Sequence, residues 1–328
     1  MRVLYIGGTG EISYECVRAG VEAGQEVTVF NRGLNDEPLP KGVRRIVGSL
    51  DDQAGYAKLG DQRFDTVCQF LAYDMKTIEQ DLATFGGKVG QYLFISSASV
   101  YQKPPHGYVV TEDTPLINPF WDYSRSKAAM EQRLMEWHAA GKLPVTIVRP
   151  SHTYRKNWPG TFFGNEELGW RILNGRTVIC HGDGTSLWVL THSRDFARPF
   201  VGLLGNPRAL GEAFHITTDE ANSWSTIFQA VGAALGVEPR IVNVPSDTLV
   251  RLNPDWTGPL WGDKSWTLLF DNSKVKSVAG DFTCKIKMAE GMKMVAEHFL
   301  KRVAGFQPDQ QRQAQLDRIA ECQQALQA

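Results

Sequence analysis

Residues 3–13 read Val3-Leu4-Tyr5-Ile6-Gly7-Gly8-Thr9-Gly10-Glu11-Ile12-Ser13, an apolar run, three glycines in four residues, and the opening of an amphipathic stretch. A short continuous apolar run is what a strand buried on both faces requires. Glycines between a strand and a helix serve a tight turn and a close approach of the main chain to a bound group. Gly7 permits the turn and Gly10 the approach, while the following helix offers unpaired N–H groups and the positive end of its dipole to an anion. Strand, turn and helix together make this segment the pyrophosphate cradle of a dinucleotide site, with Gly7, Thr9, Gly10, Glu11 and Ile12 forming its wall. Ser13 stands where a third glycine is often found, and it is small enough for close helix packing. Glu11 is awkward beside a pyrophosphate, so its carboxylate is expected to point into solvent.

Outward from this loop, the first half of the chain alternates short apolar runs with amphipathic stretches. Residues 3–6, 25–30, 44–47, 64–71, 91–96 and 145–149 read as strands, and 13–23 and 123–140 as helices, the latter stopped by Gly141 and Pro144. This is the βαβ pattern of an α/β protein with a Rossmann-like, doubly wound parallel sheet, whose ligands sit beyond the carboxyl ends of the strands. After Pro150 the pattern loosens, and Gly160, Gly164, Gly182 and Gly184 punctuate short segments. We therefore expect a dinucleotide-binding domain over residues 1–155, with a later stretch near 185–215 returning to it. Residues 156–328 then form mainly a smaller α+β substrate lobe and a helical tail. Helices are expected at 226–235 and 288–303, and the glutamine-rich tail carries Leu316, Ile319 and Leu326 at helical spacing.

The chain has 328 residues, 42% of them hydrophobic, and 35 basic against 36 acidic side chains give a formal charge of -1. That balance offers no electrostatic case for a nucleic-acid or membrane partner. The apolar run at the start is too short for a signal peptide, which points to the cytoplasm. Five cysteines in no Cys-x-x-Cys spacing suggest neither a disulfide framework nor a zinc site, and His152, His181, His192 and His215 lack metal-ligand spacing. No metal is expected.

Cofactor choice is read after the second strand, where NAD binders place a carboxylate against the adenosine ribose. Here Asn31 and Arg32 follow Phe30. Asn31 supplies no charge, whereas Arg32 can pair with a 2′-phosphate, so NADP(H) is favoured and NAD(H) is the alternative.

Tyr123 and Lys127 lie four residues apart, hence on one face of the 123–140 helix. A neighbouring ammonium favours a phenolate, so Lys127 is expected to lower the Tyr123 pKa and to reach the nicotinamide ribose. The fifth strand runs into Ser96-Ser97-Ala98-Ser99-Val100-Tyr101, bringing hydroxyls to the same sheet edge. One of these can bond the substrate oxygen whose proton Tyr123 takes or gives. Ser97 is the choice, with Ser96 and Ser99 as alternatives.

Together, Gly-Gly-Thr-Gly at 7–10, Ser-Ser-Ala-Ser-Val-Tyr at 96–101, Tyr123 with Lys127, Arg149-Pro150 and Asp195-Phe196-Ala197 resemble the extended short-chain dehydrogenase/reductase family, which includes NAD(P)-dependent sugar epimerases and dehydratases. The resemblance covers most of the chain. It implies a catalytic triad of Ser97, Tyr123 and Lys127, with Ala72 and Pro150 against the cofactor and a tyrosine-bearing helix that packs in a homodimer. Gly48-Ser49-Leu50 looks like the family's Gly-Asp-Leu, so Ser49 and Leu50 would meet the adenine without the usual carboxylate. Trp188 appears where an arginine would meet a substrate diphosphate; a tryptophan stacks on a ring but neutralises no phosphate. Arg155, Lys156, Arg171 or Arg194 would then have to supply that charge.

Ser99, His152, Tyr154 and Trp188 are the residues expected to touch substrate, and Trp256, Trp261 and Trp266 to form core of the small lobe or a lid. The leading reading is an oxidoreductase transferring hydride at a hydroxyl or carbonyl carbon of a sugar-like small molecule. The alternatives are a nucleotide-sugar epimerase or dehydratase with tightly bound NAD, and a non-catalytic dinucleotide-binding regulator or RNA-associated protein.

Overall fold

The computed structural model describes residues 1–35 and 37–327. Its centre is a seven-stranded, fully parallel sheet. The strands are β1 (Arg2–Ile6), β2 (Glu26–Asn31), β3 (Arg44–Val47), β4 (Thr66–Gln69), β5 (Gln91–Ile95), β6 (Val145–Pro150) and a seventh at Ala213–Ile216. Their spatial order from one edge is Ala213–Ile216, β6, β5, β4, β1, β2, β3. The chain thus winds outward from β1 in both directions, and the order reverses beside β1, where α1 (Ser13–Glu22) begins. A doubly wound sheet opens its ligand crevice at that reversal.

The alternation of side chains along β1 builds two cores. Val3 and Tyr5 face a layer holding Val17 of α1 and Phe196 and Phe200 of the helix Ser193–Leu203. Leu4 and Ile6 face the other layer, with Ile78 of α2 (Met75–Phe85) and Met130, Leu134 and Trp137 of α3 (Asp122–Ala139). Both faces are covered, so β1 shows the unbroken apolar run read in the sequence. The strand expected over 64–71 is shorter. It ends at Gln69, whose Nε2 donates to buried Asp81 at 2.8 Å and whose Oε1 accepts from Leu71 N at 2.8 Å, turning the chain away from the sheet.

The remaining residues gather around a third core. A three-stranded sheet joins β7 (His152–Tyr154) in parallel to β8 (Leu187–His192), and β8 in antiparallel to Ala221–Ser223. Trp224–Leu235 and Met288–Leu300 pack on it as helices, the first capped by Ser223 and ended by Gly236 at φ +70°. The tail is a helix over Gln310–Gln327, docked through Leu316 and Ile319 and through Arg171, which donates to Gln313 and Asp317. Leu326 lies at the solvent-facing end, 83% exposed, so it takes no part in that docking. Among the described residues no helix is long and apolar enough to cross a membrane.

Candidate active site

The carboxyl edge of the large sheet carries a cleft of about 740 Å³. The glycine loop forms its floor. Gly7 and Gly8 have φ of +117° and +83°, and a Cβ at Gly8 would sit 2.7 Å from Val29 Cγ2, so neither the backbone nor the space admits a side chain there. At Gly10 a Cβ would meet only Ser13 Oγ, at 3.3 Å, on a loop that otherwise faces the cleft. Ser13 does more than stay small, since its hydroxyl accepts from Gly10 N at 3.0 Å and ties the loop to the first turn of α1.

Of the residues singled out in the sequence, Gly7, Thr9, Gly10, Glu11, Ile12, Asn31, Arg32, Ser49, Leu50, Ser97, Tyr123, Lys127 and Pro150 all line this cleft. Ala72 does not. It is fully buried, and its carbonyl instead accepts from Lys127 Nζ at 2.7 Å while the flanking Leu71 and Tyr73 form the wall.

Another expectation needs correction. Glu11 does not point into solvent: its carboxylate accepts from the backbone N–H groups of Arg155, Lys156 and Asn157 at 2.6, 2.6 and 2.9 Å, and from Asn157 Nδ2 at 3.2 Å. A nest of main-chain donors more than 140 residues away thus satisfies the charge that looked misplaced. Asn31 is committed as well, donating to Gly7 O at 3.2 Å and accepting from Gly33 N at 3.0 Å. Among the described residues lining the cleft, the exposed cation is Arg32.

A second cavity of about 280 Å³ adjoins the first. Ser97, Tyr123, Pro150 and Ser151 line both, so the two spaces meet at the predicted catalytic residues. Helix α3 places them there. Its buried stripe of Lys127, Met130, Glu131, Leu134 and Trp137 faces the sheet, and Tyr123, one turn before Lys127, reaches the edge. The anchor is a buried ion pair in which Arg149 at the end of β6 donates to Glu131 at 2.6 to 3.1 Å. Arg149 also donates to the Tyr101 hydroxyl at 3.1 Å, which fixes the turn following β5.

Within the site, Ser97 and Ser99 share a hydrogen bond of 2.9 Å, and Ser124 donates to Ser99 at 2.8 Å. Ser97 therefore faces the junction, and Ser99 stands behind it. Lys127 is almost wholly buried and donates to Ala72 O and to Ile95 O at 2.9 Å, its ammonium 6.0 Å from the Tyr123 ring centre. Burial pushes Lys127 down to about 8, against the pull of Glu131. Burial also pushes Tyr123 up to about 12, opposed by its hydrogen bond with Ser97 and reinforced by Tyr73 and Asp263. This reverses the expectation that Lys127 would lower Tyr123, because desolvation outweighs an ammonium occupied by two carbonyls.

Of the residues expected to touch substrate, Ser99, His152 and Trp188 line the smaller cavity and Tyr154 does not. Tyr154 is 1% exposed and lies in the third core against α-helical Gly291, where a Cβ would fall 1.8 Å from its hydroxyl. Two residues along β7 carry the chain about 6–7 Å, from the cavity rim into the interior. Trp121, Asp263 and Lys264 also line this cavity and were not singled out in the sequence. The last two follow Trp261, within the tryptophan-rich stretch, and that neighbourhood was the one available signal. Trp256 itself is core, packed on Phe162. The cations considered for a substrate diphosphate are engaged elsewhere: Arg155 and Lys156 with Glu37, Arg171 with Asp317, and Arg194 with Glu15.

The model of the NAD dependent epimerase/dehydratase family matches residues 3–217. Over 250 residues the chain is 28% identical to 2′-dehydrokanamycin reductase of Streptomyces kanamyceticus, covering 75% of this chain and 70% of that protein. It is 27% identical over 264 residues to the chloroplast stem-loop binding protein of 41 kDa b of Arabidopsis thaliana, covering 74% of this chain and 65% of that one. Among solved structures, UDP-glucose 4-epimerase of Thermotoga maritima superposes with a TM-score of 0.73 at 20% identity, covering 92% of this chain and 100% of that one. UDP-glucuronic acid 4-epimerase of Bacillus cereus, solved with UDP-glucuronic acid and NAD, superposes with a TM-score of 0.74 at 18% identity, covering 92% and 99%. The two superpositions are likenesses of fold. With the family model spanning most of the large sheet and both cavities' shared edge, the chain is a member of the NAD-dependent epimerase/dehydratase family, a family of oxidoreductases, epimerases and dehydratases.

Proposed function

We propose that the protein is an NADP(H)-using oxidoreductase that reduces a carbonyl on a sugar-like small molecule, with Tyr123 as proton donor, Lys127 as its charged neighbour and Ser97 as the orienting hydroxyl. The observation that carries this reading is the meeting of the two cavities at Ser97 and Tyr123, with Lys127 buried beside them. The residues fit a dinucleotide: the side-chain-free floor at Gly7 and Gly10 and the start of α1 would hold the pyrophosphate. Ser49 and Leu50 would meet the adenine, and Ile12, Asn31 and Pro150 complete the wall. The chemistry supplied there by a bound nicotinamide is transfer of a hydride to the carbonyl carbon.

The chain's own residues handle the oxygen. A phenol held protonated by burial up to about 12 is suited to giving a proton to an oxygen that gains charge, more than to taking one. Ser97 donates a hydrogen bond to that oxygen, its position fixed by Ser99. Below about pH 8 the Lys127 ammonium favours the phenolate left behind.

Arg32, exposed at the cleft rim, supports NADP(H), and Asn31, turned inward on Gly7 and Gly33, offers the ribose no charge. Residues 1–155, with the return near 185–215, serve as the dinucleotide-binding part, and 156–328 mainly as the substrate lobe. A cytoplasmic location, a homodimer formed through the tyrosine-bearing helix, and the absence of a nucleic-acid or membrane partner complete the proposal.

Replacing Tyr123 by Phe is expected to lower carbonyl reduction by about 10²–10⁴-fold while nucleotide binding persists. Turnover at the wild-type rate in that variant rules the assignment out. A tightly held NAD that copurifies with the protein and is not exchanged during turnover would favour internal redox, as in an epimerase.

A further inference from the structure

Given the oxidoreductase reading, on which this step rests, we infer that the smaller cavity receives a single uncharged sugar or polyol ring that carries no nucleoside diphosphate, held by Asp263 and Lys264 between the indoles of Trp121 and Trp188. Size is the first argument: about 280 Å³ lies just below the roughly 300–1,000 Å³ of sites for larger ligands. A ring fits this space more readily than a nucleotide.

Charge is the second. Among the described residues lining the cavity, Lys264 is the one lysine or arginine, and it is already paired with Asp263 at 2.9 Å. The pair is nearly neutral as a unit and mostly shielded, with side chains 9% and 14% exposed. A diphosphate bound here would meet the Asp263 carboxylate, and Arg155, Lys156, Arg171 and Arg194 are held by other carboxylates. An ammonium group would meet Lys264. Vicinal hydroxyls satisfy both partners, donating to the carboxylate and accepting from the ammonium.

The aromatic walls are the third. Lys264 Nζ lies 6.0 Å from the Trp121 ring centre and 5.9 Å from that of Trp188, so the ion pair sits between two apolar faces. Apolar faces flanking a few polar groups suit a ring with C–H faces and a hydroxyl rim. The residues are built into place. Gly258 and Gly262 have no room for a Cβ against Trp121, and Asn118 Nδ2 ties Gly262 O to Ser99 O with two bonds of 2.7 Å. The Asp263 segment is thereby fixed to the serine turn of the catalytic residues.

The test is binding to the full chain saturated with NADP+, followed by saturation-transfer NMR and calorimetry. The probes are D-glucose, D-galactose, myo-inositol, UDP and UDP-glucose. At least one uncharged probe is expected to bind, and UDP and UDP-glucose neither to bind more tightly nor to displace it. Asp263→Asn and Lys264→Met, each checked for an unchanged thermal midpoint or compared at matched folded fraction, are expected to weaken that binding about tenfold, as the loss of a hydrogen bond to a charged group would. Tighter binding of UDP-glucose, no binding of any uncharged probe, or affinities unchanged in both variants overturns the inference. If the sugar binds as expected but Tyr123→Phe leaves turnover intact, the oxidoreductase reading fails while the pocket assignment stands.

Discussion

At the scale of single residues, the centre of interest is a tyrosine and a lysine that burial moves in opposite directions. Tyr123 is pushed up to about 12 and Lys127 down to about 8, because each neutral form is favoured away from water. Across the neutral range the phenol keeps its proton and the amine keeps its charge, the combination a proton donor needs. As pH rises through about 8, Lys127 loses its charge first. The expected profile of kcat/KM for carbonyl reduction is therefore flat below about pH 8 and falling above it, measured with nucleotide saturating. A Lys127→Met variant should show a lower plateau and no fall near 8. A fall at the same pH in the variant would remove Lys127 from that role. Ser124 acts through Ser99 on Ser97 and touches neither cavity. Ser124→Ala is expected to lower kcat several-fold with KM nearly unchanged, whereas loss of structure alone would show in the thermal midpoint.

Between elements, the contact of greatest consequence joins the glycine loop to the segment following β7. Glu11 holds three successive main-chain N–H groups of residues 155–157, and Glu37 holds the side chains of Arg155 and Lys156. A carboxylate with four donors is a strong, directional clamp, and Gln in its place keeps the shape but loses the charge. Hydrogen bonds to charged groups are worth about 1.5–3 kcal/mol. Glu11→Gln is expected to lower the thermal midpoint and to speed dinucleotide release about tenfold or more, measured by stopped-flow fluorescence. An unchanged release rate would confine the clamp to stability.

For the molecule as a whole, buried histidines set the acid limit. Burial pushes His181 and His192 each down to about 4 and lowers His215 as well. In the unfolded chain they titrate near 6.5. Between those values the unfolded state binds more protons, so the stability they confer is full above about 6.5 and is lost as pH falls toward 4. For His181 the shift corresponds to about 3 kcal/mol at most. Asp81 works the other way. It lies under the sheet, hydrogen-bonded by Tyr56, Tyr92 and Gln69, and burial pushes it up to about 6. Its raised value favours the folded state as pH falls from 6 to about 4, which offsets one histidine. Three against one leaves a net loss, so the thermal midpoint should drop steadily from pH 6.5 to 4.5. His192 accepts from Arg194 N as the cap of its helix, a role Asn also fills. His192→Asn should make the drop shallower, and an equally steep drop would assign the acid sensitivity elsewhere.

Features that repeat locally were legible in the amino-acid order alone. The apolar run 3–6, the glycines that follow it, the continuous apolar strands and the Tyr123–Lys127 spacing each involve residues within a few positions of one another. They were enough to give the parallel sheet, the glycine loop and one helix face. Features that depend on burial, and on partners far along the chain, came only with the folded arrangement. Glu11 found its donors at 155–157, and Tyr123 was raised rather than lowered because the fold dries its surroundings. Tyr154 went into the core where its neighbour His152 stayed at the rim. Trp121, Trp188, Asp263 and Lys264 became one pocket only because strands and turns more than 140 residues apart meet at the same sheet edge. No local pattern records such a meeting, since it is fixed by how three hydrophobic cores pack and not by the spacing of any one segment.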